Sequence, residues 1–504
     1  MKRSFSIALG LLIVLNLVLS GCSTKAPVAT EAAPAATEAA PAATEAAPAL
    51  NKDVTITWAT LAGFYTDWAK KLADEFTAET GIKVNIVEMD LPTMYEKEVL
   101  DIVGGTGAYD IITWNVSWKA EWANNEYIYP LDDFIARDSA DVDFNDIPSA
   151  LEAVSGQWKG KTYGLPYYTF TPGIFYRCDL FENADEKAAF KAKYGYDLDI
   201  PQTYDQMADI AEFFSRKAGD TLAGKTISND FYGIGVMAGR YTNIFDEVNT
   251  IAWTIGGDVI NDDGTPGVNS DAYVKALKLY VEKLVPHAPT GSLSGSYDFV
   301  ISQLNTGLIA MTGPMYLDQW ANAVKAEDNI PGAEVCAAPL PGIGKTWAGA
   351  FTLGIAKSSK NVDASWQFLK WITGKKAQLA FAQGGGTTTR KSILSDINFA
   401  KEHRKTAGHF PVVSYILDNA SQCWYTNYNY VVEAAKIYEE APAWLSAAAS
   451  GEMTPEEAMN GFAAKINEFC NGKCQILNEG VTKPAADNAA CTSWSFDRSL
   501  QIRK

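Results

Sequence analysis

Val54-Thr55-Ile56-Thr57-Trp58 opens the stretch that decides the fold. It is β-branched and alternates, as a half-buried strand does. Phe64 to Thr80 follows with Trp68, Leu72, Ala73 and Phe76 on one face, a helix that Gly81 stops. Ile82-Lys83-Val84-Asn85-Ile86-Val87 reads as a second strand, Met94 to Val103 as a second helix ended by Gly104-Gly105, and Tyr109-Asp110-Ile111-Ile112-Thr113-Trp114 as a third strand. Strand, helix, strand, helix, strand at this spacing predicts right-handed crossovers and a parallel sheet with covered faces, hence an α/β fold. Ligands of such sheets sit beyond the carboxyl ends of the strands. Here those ends fall near Thr60, Asp90 and Trp114-Asn115.

The alternation continues downstream to about residue 470. Helices are predicted over Thr203 to Phe214 after the start signal Pro201, Ala272 to Leu284, Val362 to Ile372, Lys375 to Ala382, and Pro455 to Phe469. The last has Thr454 as N-cap, then Pro455 and Glu456-Glu457. Ile309 to Met311 and Thr352 to Ala356 read as strands. Beyond Cys474 no period is evident.

Upstream, Lys2 and Arg3 precede an apolar run from Ile7 to Leu19. That run is shorter than the roughly 20 residues a membrane span needs and fits a signal-peptide core. It ends in Leu19-Ser20-Gly21-Cys22, which resembles the lipobox of bacterial lipoproteins, with Cys22 as the lipidated new N-terminus. Residues 30–50 hold three copies of a seven-residue Thr-Glu-Ala-Ala-Pro-Ala-Ala unit. Pro34, Pro41 and Pro48 exclude a continuous helix, so 22–52 reads as a semi-extended spacer. Removing 1–21 leaves 40 Lys and Arg against 60 Asp and Glu, a net charge of −20 in place of −18. With Cys22 set aside as the lipidated residue, six of the seven Cys remain: Cys178, Cys336, Cys423, Cys470, Cys474 and Cys491. An even set in an exported chain suggests disulfides, but about 15 pairings are open. The expectation is that the tail, 471–504, is stapled.

The acidic balance opposes nucleic-acid binding and docking on anionic lipid. Only three His are present, so no metal site and no cofactor are expected. Gly342-Ile343-Gly344-Lys345-Thr346 looks like part of a phosphate-binding loop, but Pro339 stands where its first Gly belongs. Asp141, Asp143, Asn145 and Glu152 look like a calcium loop, but its sixth position is Asp146, which leaves the sharp turn unsupported.

A more specific likeness lies in ordered motifs. Tyr109 to Trp114, then Leu131-Asp132-Asp133 after Ile128-Tyr129-Pro130, Lys161 to Tyr168, and Tyr176-Arg177-Cys178-Asp179-Leu180-Phe181 come in turn. Trp253 to Asp258, Ala310 to Met315, Ala338 to Gly342, Ser365 to Trp371 and Gly384 to Ser392 follow. Together they resemble the bacterial extracellular solute-binding proteins of the sugar-transport type over roughly residues 53–470. The resemblance implies a two-lobed periplasmic-binding-protein fold of type II, each lobe a mostly parallel sheet with helices on both faces. About three hinge crossings would join the lobes. It places one lobe at 53–170 and 352–395, and the other at 171–351 and 396–470. It also implies a carbohydrate ligand, oligosaccharide or polyol, and the permease subunits of an ABC importer as partner. The protein would be a monomer outside the cytoplasm, held to the membrane by lipid alone.

A sugar offers apolar C–H faces and a rim of hydroxyls, so its site needs rings and polar side chains together. Segments at strand ends or hinge supply both. From the first lobe come Trp114, Asn115 and Trp118, and from the hinge Tyr168 and Thr169. Trp253, Gly257, Asp258, Met315 and Tyr316 come from the second lobe, Trp347 and Phe351 from the return crossing, and Arg390 from behind the Gly-rich turn. Each aromatic has core packing as its alternative, Asp258 a turn, and Arg390 an ion pair between lobes. Two other functions fit the residues, an exported glycoside hydrolase and a carbohydrate sensor or adhesin without transport. No nucleophile or metal spacing supports catalysis, although 60 acidic residues leave a carboxylate pair open.

Overall fold

The computed structural model describes residues 53–342, 345–485, 488, 491 and 495–504, which belong to one compact unit, Leu50–Lys504. The signal segment, Cys22, the spacer and residues 343–344 lie outside the described residues. Among the described residues no helix is long and apolar enough to cross a membrane.

The opening stretch folds as its periodicity predicts. β1 (Thr55–Leu61) and β2 (Lys83–Met89) pair in parallel, as do β1 and β3 (Ile111–Trp114). α1 (Phe64–Thr80) ends at Gly81, whose φ of 84° is the left-handed cap that an L side chain resists. α2 (Leu91–Gly104) starts three residues before Met94 because Asp90 accepts the Thr93 N–H (2.9 Å) and Pro92 fits a first turn. Trp58 is fully buried between Tyr167 and Phe368, and its Nε1–H donates to Thr113 Oγ1 at 2.9 Å.

Two strands complete this first sheet. Ala350–Ile355 lies beside β3, and Leu165–Thr169 beyond it, both antiparallel to their neighbours. The second sheet has Tyr232–Gly235, Ile309–Thr312, Pro172–Arg177 and Met315–Tyr316 in that order, with Val335–Ala338 also on Pro172–Arg177. Only its Tyr232–Gly235 and Ile309–Thr312 pair is parallel. This corrects the expectation of a mostly parallel second sheet. Three strands pair antiparallel with Pro172–Arg177, a strand reached from the first sheet without any crossover helix.

The chain leaves the first sheet at Thr169 and enters the second at Pro172, and it returns between Ala338 and Ala350. The predicted helix Ala272 to Leu284 is α-helical over Asp271–Leu279 and closes as a π turn over Tyr280–Leu284. Pro455–Phe469 carries the full capping box of Thr454 and Glu457. Helix Ala434–Ala449 lies against Asn243–Thr254 and Pro455–Phe469, and also touches the turn Val116–Trp118 that follows β3.

The six cysteines pair as Cys178–Cys336, Cys423–Cys491 and Cys470–Cys474. The tail is thus tied covalently at Cys491. It is also held by Leu477 N–H on Tyr430 O (2.8 Å), by Gln501 Nε2 on Ala337 O (2.7 Å), and by Arg503 between Glu182 and Glu334.

Candidate functional site

A cavity of about 650 Å³ opens where the two sheets face each other. Leu61 at the end of β1, Leu91 and Pro92 after β2, and Asn115 after β3 line one side. These are the carboxyl ends of the three parallel strands, where the topology leaves room for a ligand. The crossings supply Tyr168, Phe170 and Phe351. The far side comes from the loop after strand Tyr232–Gly235 (Arg240 to Asn243), from Ser296 to Asp298, from Tyr316, Asp318 and Gln319, and from helix Ala434–Ala449.

The rings form a continuous floor. Tyr168 packs on Phe351 with centroids 5.1 Å apart, and Phe351 on Phe170 at 4.9 Å. Phe170 meets Trp347 edge-on at 5.1 Å and Tyr316 at 6.0 Å, and Tyr316 meets Tyr297 at 6.2 Å. Such pairs hold their geometry by quadrupole contacts as well as burial. The floor therefore spans both crossings and the second-sheet wall.

Behind it runs a polar network. Tyr316 O–H donates to Asp246 Oδ2 (2.6 Å), and Tyr438 O–H to the same oxygen (3.1 Å). Asn243 Nδ2 donates to Tyr316 OH (2.8 Å), and Ser296 O–H to Asn243 Oδ1 (2.7 Å). Burial pushes the Asp246 carboxyl up to about 7, against the pull of the two tyrosine hydrogen bonds. Its neighbour Glu247, buried with Tyr280 and the Met237 N–H as partners, is pushed up to about 8. Asn115 is set by its own turn, its Oδ1 accepting the Ser117 N–H (3.0 Å) and O–H (3.1 Å).

Of the thirteen candidate residues, Asn115, Tyr168, Tyr316 and Phe351 line the cavity. Trp347 backs it through Phe170 and Tyr316. The others are placed in the frame. Trp114 is fully buried, donates to Ser155 O (2.9 Å), and lies so close over Gly164 and Gly354 that neither position has space for a Cβ. Trp118 is buried between Tyr95 and Trp122. Thr169 spends its hydroxyl on Gly349 O (2.7 Å), and Met315 is buried in the second sheet. Trp253 packs edge-on to Trp424 at 5.4 Å. Gly257 packs closely against Tyr273 and Ala252. Asp258 accepts from Thr426 O–H (2.5 Å) and Asn427 N–H (2.9 Å), which ties its loop to the aromatic stretch 424–430.

Arg390, expected on the ligand or in an ion pair, is set into the frame of the described structure. It is fully buried and donates to main-chain carbonyls: Thr373 through Nε (2.7 Å), Val142 (2.8 Å) and Asp143 (2.9 Å) through Nη1. The segment that resembles a calcium loop thus serves as the seat of Arg390, while Asp141 pairs with Lys370.

Phe170, Arg240, Asn243, Tyr297 and Tyr438 were not legible as site residues. Phe170 sits two residues after Tyr168, and Arg240 to Asn243 follow a strand, Tyr232–Gly235, that the periodicity does not announce.

Two α/β sheets that face a cleft, linked by strands passing directly between them, define a type II periplasmic-binding-protein fold. Residues 62–379 match the model of the bacterial extracellular solute-binding proteins, and the chain belongs to that family. It is therefore an extracytoplasmic binding protein of the kind that serves ABC transporters, a family of binders and not of enzymes. A ribitol-bound solute-binding protein of Agrobacterium radiobacter superposes with a TM-score of 0.70 at 23% identity over 82% of this chain and 98% of that one. A D-mannitol-bound protein of Agrobacterium vitis gives 0.66 at 22%, over 83% and 98%. In sequence, a probable amino-acid ABC transporter periplasmic-binding protein of Sinorhizobium fredii is 24% identical over 78% of this chain and 84% of its own. The mannitol-binding protein of Pseudomonas aeruginosa is 24% identical over 66% and 72%.

Proposed function

We propose that the chain captures a carbohydrate or polyol in the cleft between two lobes and hands it to the permease of an ABC importer. The observation that carries this reading is the ring floor Tyr168–Phe351–Phe170–Tyr316, which faces a 650 Å³ cavity with hydroxyl and amide groups around it. Rings stack on sugar C–H faces, and Asn115, Asn243, Ser296 and Tyr316 offer partners for hydroxyls. An α-amino acid, the solute in the Sinorhizobium relative's name, is a smaller ligand that needs anchors for both ends more than it needs a floor of several rings. The lobes are taken as 53–170 with 352–395, and 171–351 with 396–470, joined by about three crossings, of which 169–172 and 338–350 run between the two sheets. Solute that contacts both sides favours the closed arrangement by its differential affinity.

The protein acts as a monomer outside the cytoplasm, lipidated at Cys22 and spaced from the membrane by 22–52. Acyl chains hold such an anchor through about 0.8 kcal/mol per buried CH2. Titration calorimetry of the chain against neutral oligosaccharides and polyols, with product analysis, tests the reading. Binding of one solute per chain without bond cleavage is the expected result, and turnover or a preference for amino acids contradicts it.

A further inference from the structure

Helix Ala434–Ala449, on the far side of the cleft, carries a break in its own hydrogen bonding. Pro442 lies in its middle. Proline has no N–H, so the carbonyl four positions earlier, that of Tyr438, loses its helical donor, and the proline ring pushes the two turns apart. Among the described residues no main-chain donor from outside the helix reaches Tyr438 O. Tyr438, Glu439, Pro442 and Ala443 all line the cavity, and positions four apart share one helix face. The carbonyl between Tyr438 and Pro442 therefore opens on the cleft. The Tyr438 phenol donates to Asp246 Oδ2 (3.1 Å), the oxygen that Tyr316 also bonds (2.6 Å). That ties this turn of the helix to the Tyr316 end of the ring floor.

The hydroxyl protons of this wall are already committed. Ser296 O–H goes to Asn243 Oδ1, Asn243 Nδ2 to Tyr316 OH, and Tyr316 O–H to Asp246. The wall therefore offers a solute mostly lone pairs, and a bared carbonyl adds one more acceptor. Proline inside a helix destabilises it, and breaches of a local rule persist where a site uses them. We infer that Tyr438 O, bared by Pro442, accepts a hydrogen bond from one hydroxyl of the captured carbohydrate or polyol. Pro442 is thereby a specificity-determining position, because a solute with no O–H to donate there leaves the carbonyl unpaired. This rests on the carbohydrate reading above and adds to it a main-chain contact.

Nuclear magnetic resonance of the full chain, labelled with 13C-carbonyl tyrosine and 15N-glutamate, tests it. Tyr95-Glu96 and Tyr438-Glu439 are the Tyr-Glu pairs of the sequence, so their two carbonyl signals are read selectively through the glutamate amides. Tyr95 lies inside α2, where the Val99 N–H is its helical donor, and it marks the hydrogen-bonded position. The probes are D-mannitol, ribitol, maltose and maltotriose, each also titrated by calorimetry. The Tyr438 signal of the free chain is expected upfield of the Tyr95 signal, and a saturating probe is expected to move it downfield while Tyr95 stays. Pro442→Ala restores the missing N–H. Its Tyr438 signal is expected at the bonded position with or without probe, its denaturant midpoint higher, and its affinity for the same probe about tenfold weaker. A Tyr438 signal that a bound probe does not move, or an unchanged affinity in Pro442→Ala, overturns the inference and leaves the carbohydrate reading standing. No binding by any of the probes overturns both. If Pro442→Ala does not fold, the labelled unsubstituted chain carries the test alone.

Discussion

Two clusters of rings, one after the third parallel strand and one at the crossings, do different work. Trp114, Trp118, Trp122 and Tyr95 meet at 5–6 Å, as do Tyr168, Phe351, Phe170 and Tyr316. The first cluster closes on glycine backbone and main-chain carbonyls, while the second ends on open volume. Ring density therefore marks well-packed regions, and only what lies beyond the ring edge separates core from site. Tryptophan, the largest side chain, is drawn to the first kind of place; smaller rings at the crossings take the second.

The contrast can be broken by substitution. Trp114→Ala is expected to cost about 3–5 kcal/mol of stability, since it empties a closed site, and to leave solute affinity of the folded protein unchanged. Denaturant unfolding beside calorimetry checks it, and an affinity loss with stability intact would return Trp114 to the site. Arg390→Leu is expected to cost about 3 kcal/mol, because it strands the carbonyls of Thr373, Val142 and Asp143 in the interior, again with affinity unchanged. Phe170→Ala should show the opposite split, with binding weakened by about 2 kcal/mol in calorimetry and a smaller effect on melting.

The smallest effect concerns the network behind the floor. Burial raises Asp246 to about 7 and Glu247 to about 8, above their unfolded values, so the folded chain holds these protons more tightly. Their stabilisation is complete below about pH 4 and is lost as pH rises through 7 to 8. Asp246→Asn keeps an acceptor oxygen and has no charge to bury. Its stability relative to the unsubstituted protein is expected to rise by about 1 kcal/mol per pH unit between roughly pH 4 and 7 and to level off above that, measured by melting at several pH values. A difference that does not vary with pH would show that Asp246 titrates normally.

Much of the fold was legible because periodicity is local. Phe64 to Thr80 and Pro455 to Phe469 have the predicted bounds, and Gly81 and Thr454 cap them as their chemistry requires. The antiparallel second sheet was not legible, since pairing around Pro172–Arg177 joins residues far apart in sequence. Two of the three disulfides likewise join distant residues, with Cys178 and Cys336 158 positions apart and Cys423 and Cys491 68 apart. In the site, positions read from topology reached the cavity: Asn115 after a parallel strand, and Tyr168, Tyr316 and Phe351 near the crossings. Trp114, from the same strand end as Asn115, and Trp253 went to the frame, because neither topology nor composition says which way a ring faces.

The most direct measurement is a crystal structure of the chain with its captured carbohydrate. The expected result is a sugar seated on Tyr168, Phe351, Phe170 and Tyr316, touching side chains from both sheets. A sugar bound at Trp114, Trp253 or Arg390, or outside the cleft, would contradict the assignment of the floor as the binding surface.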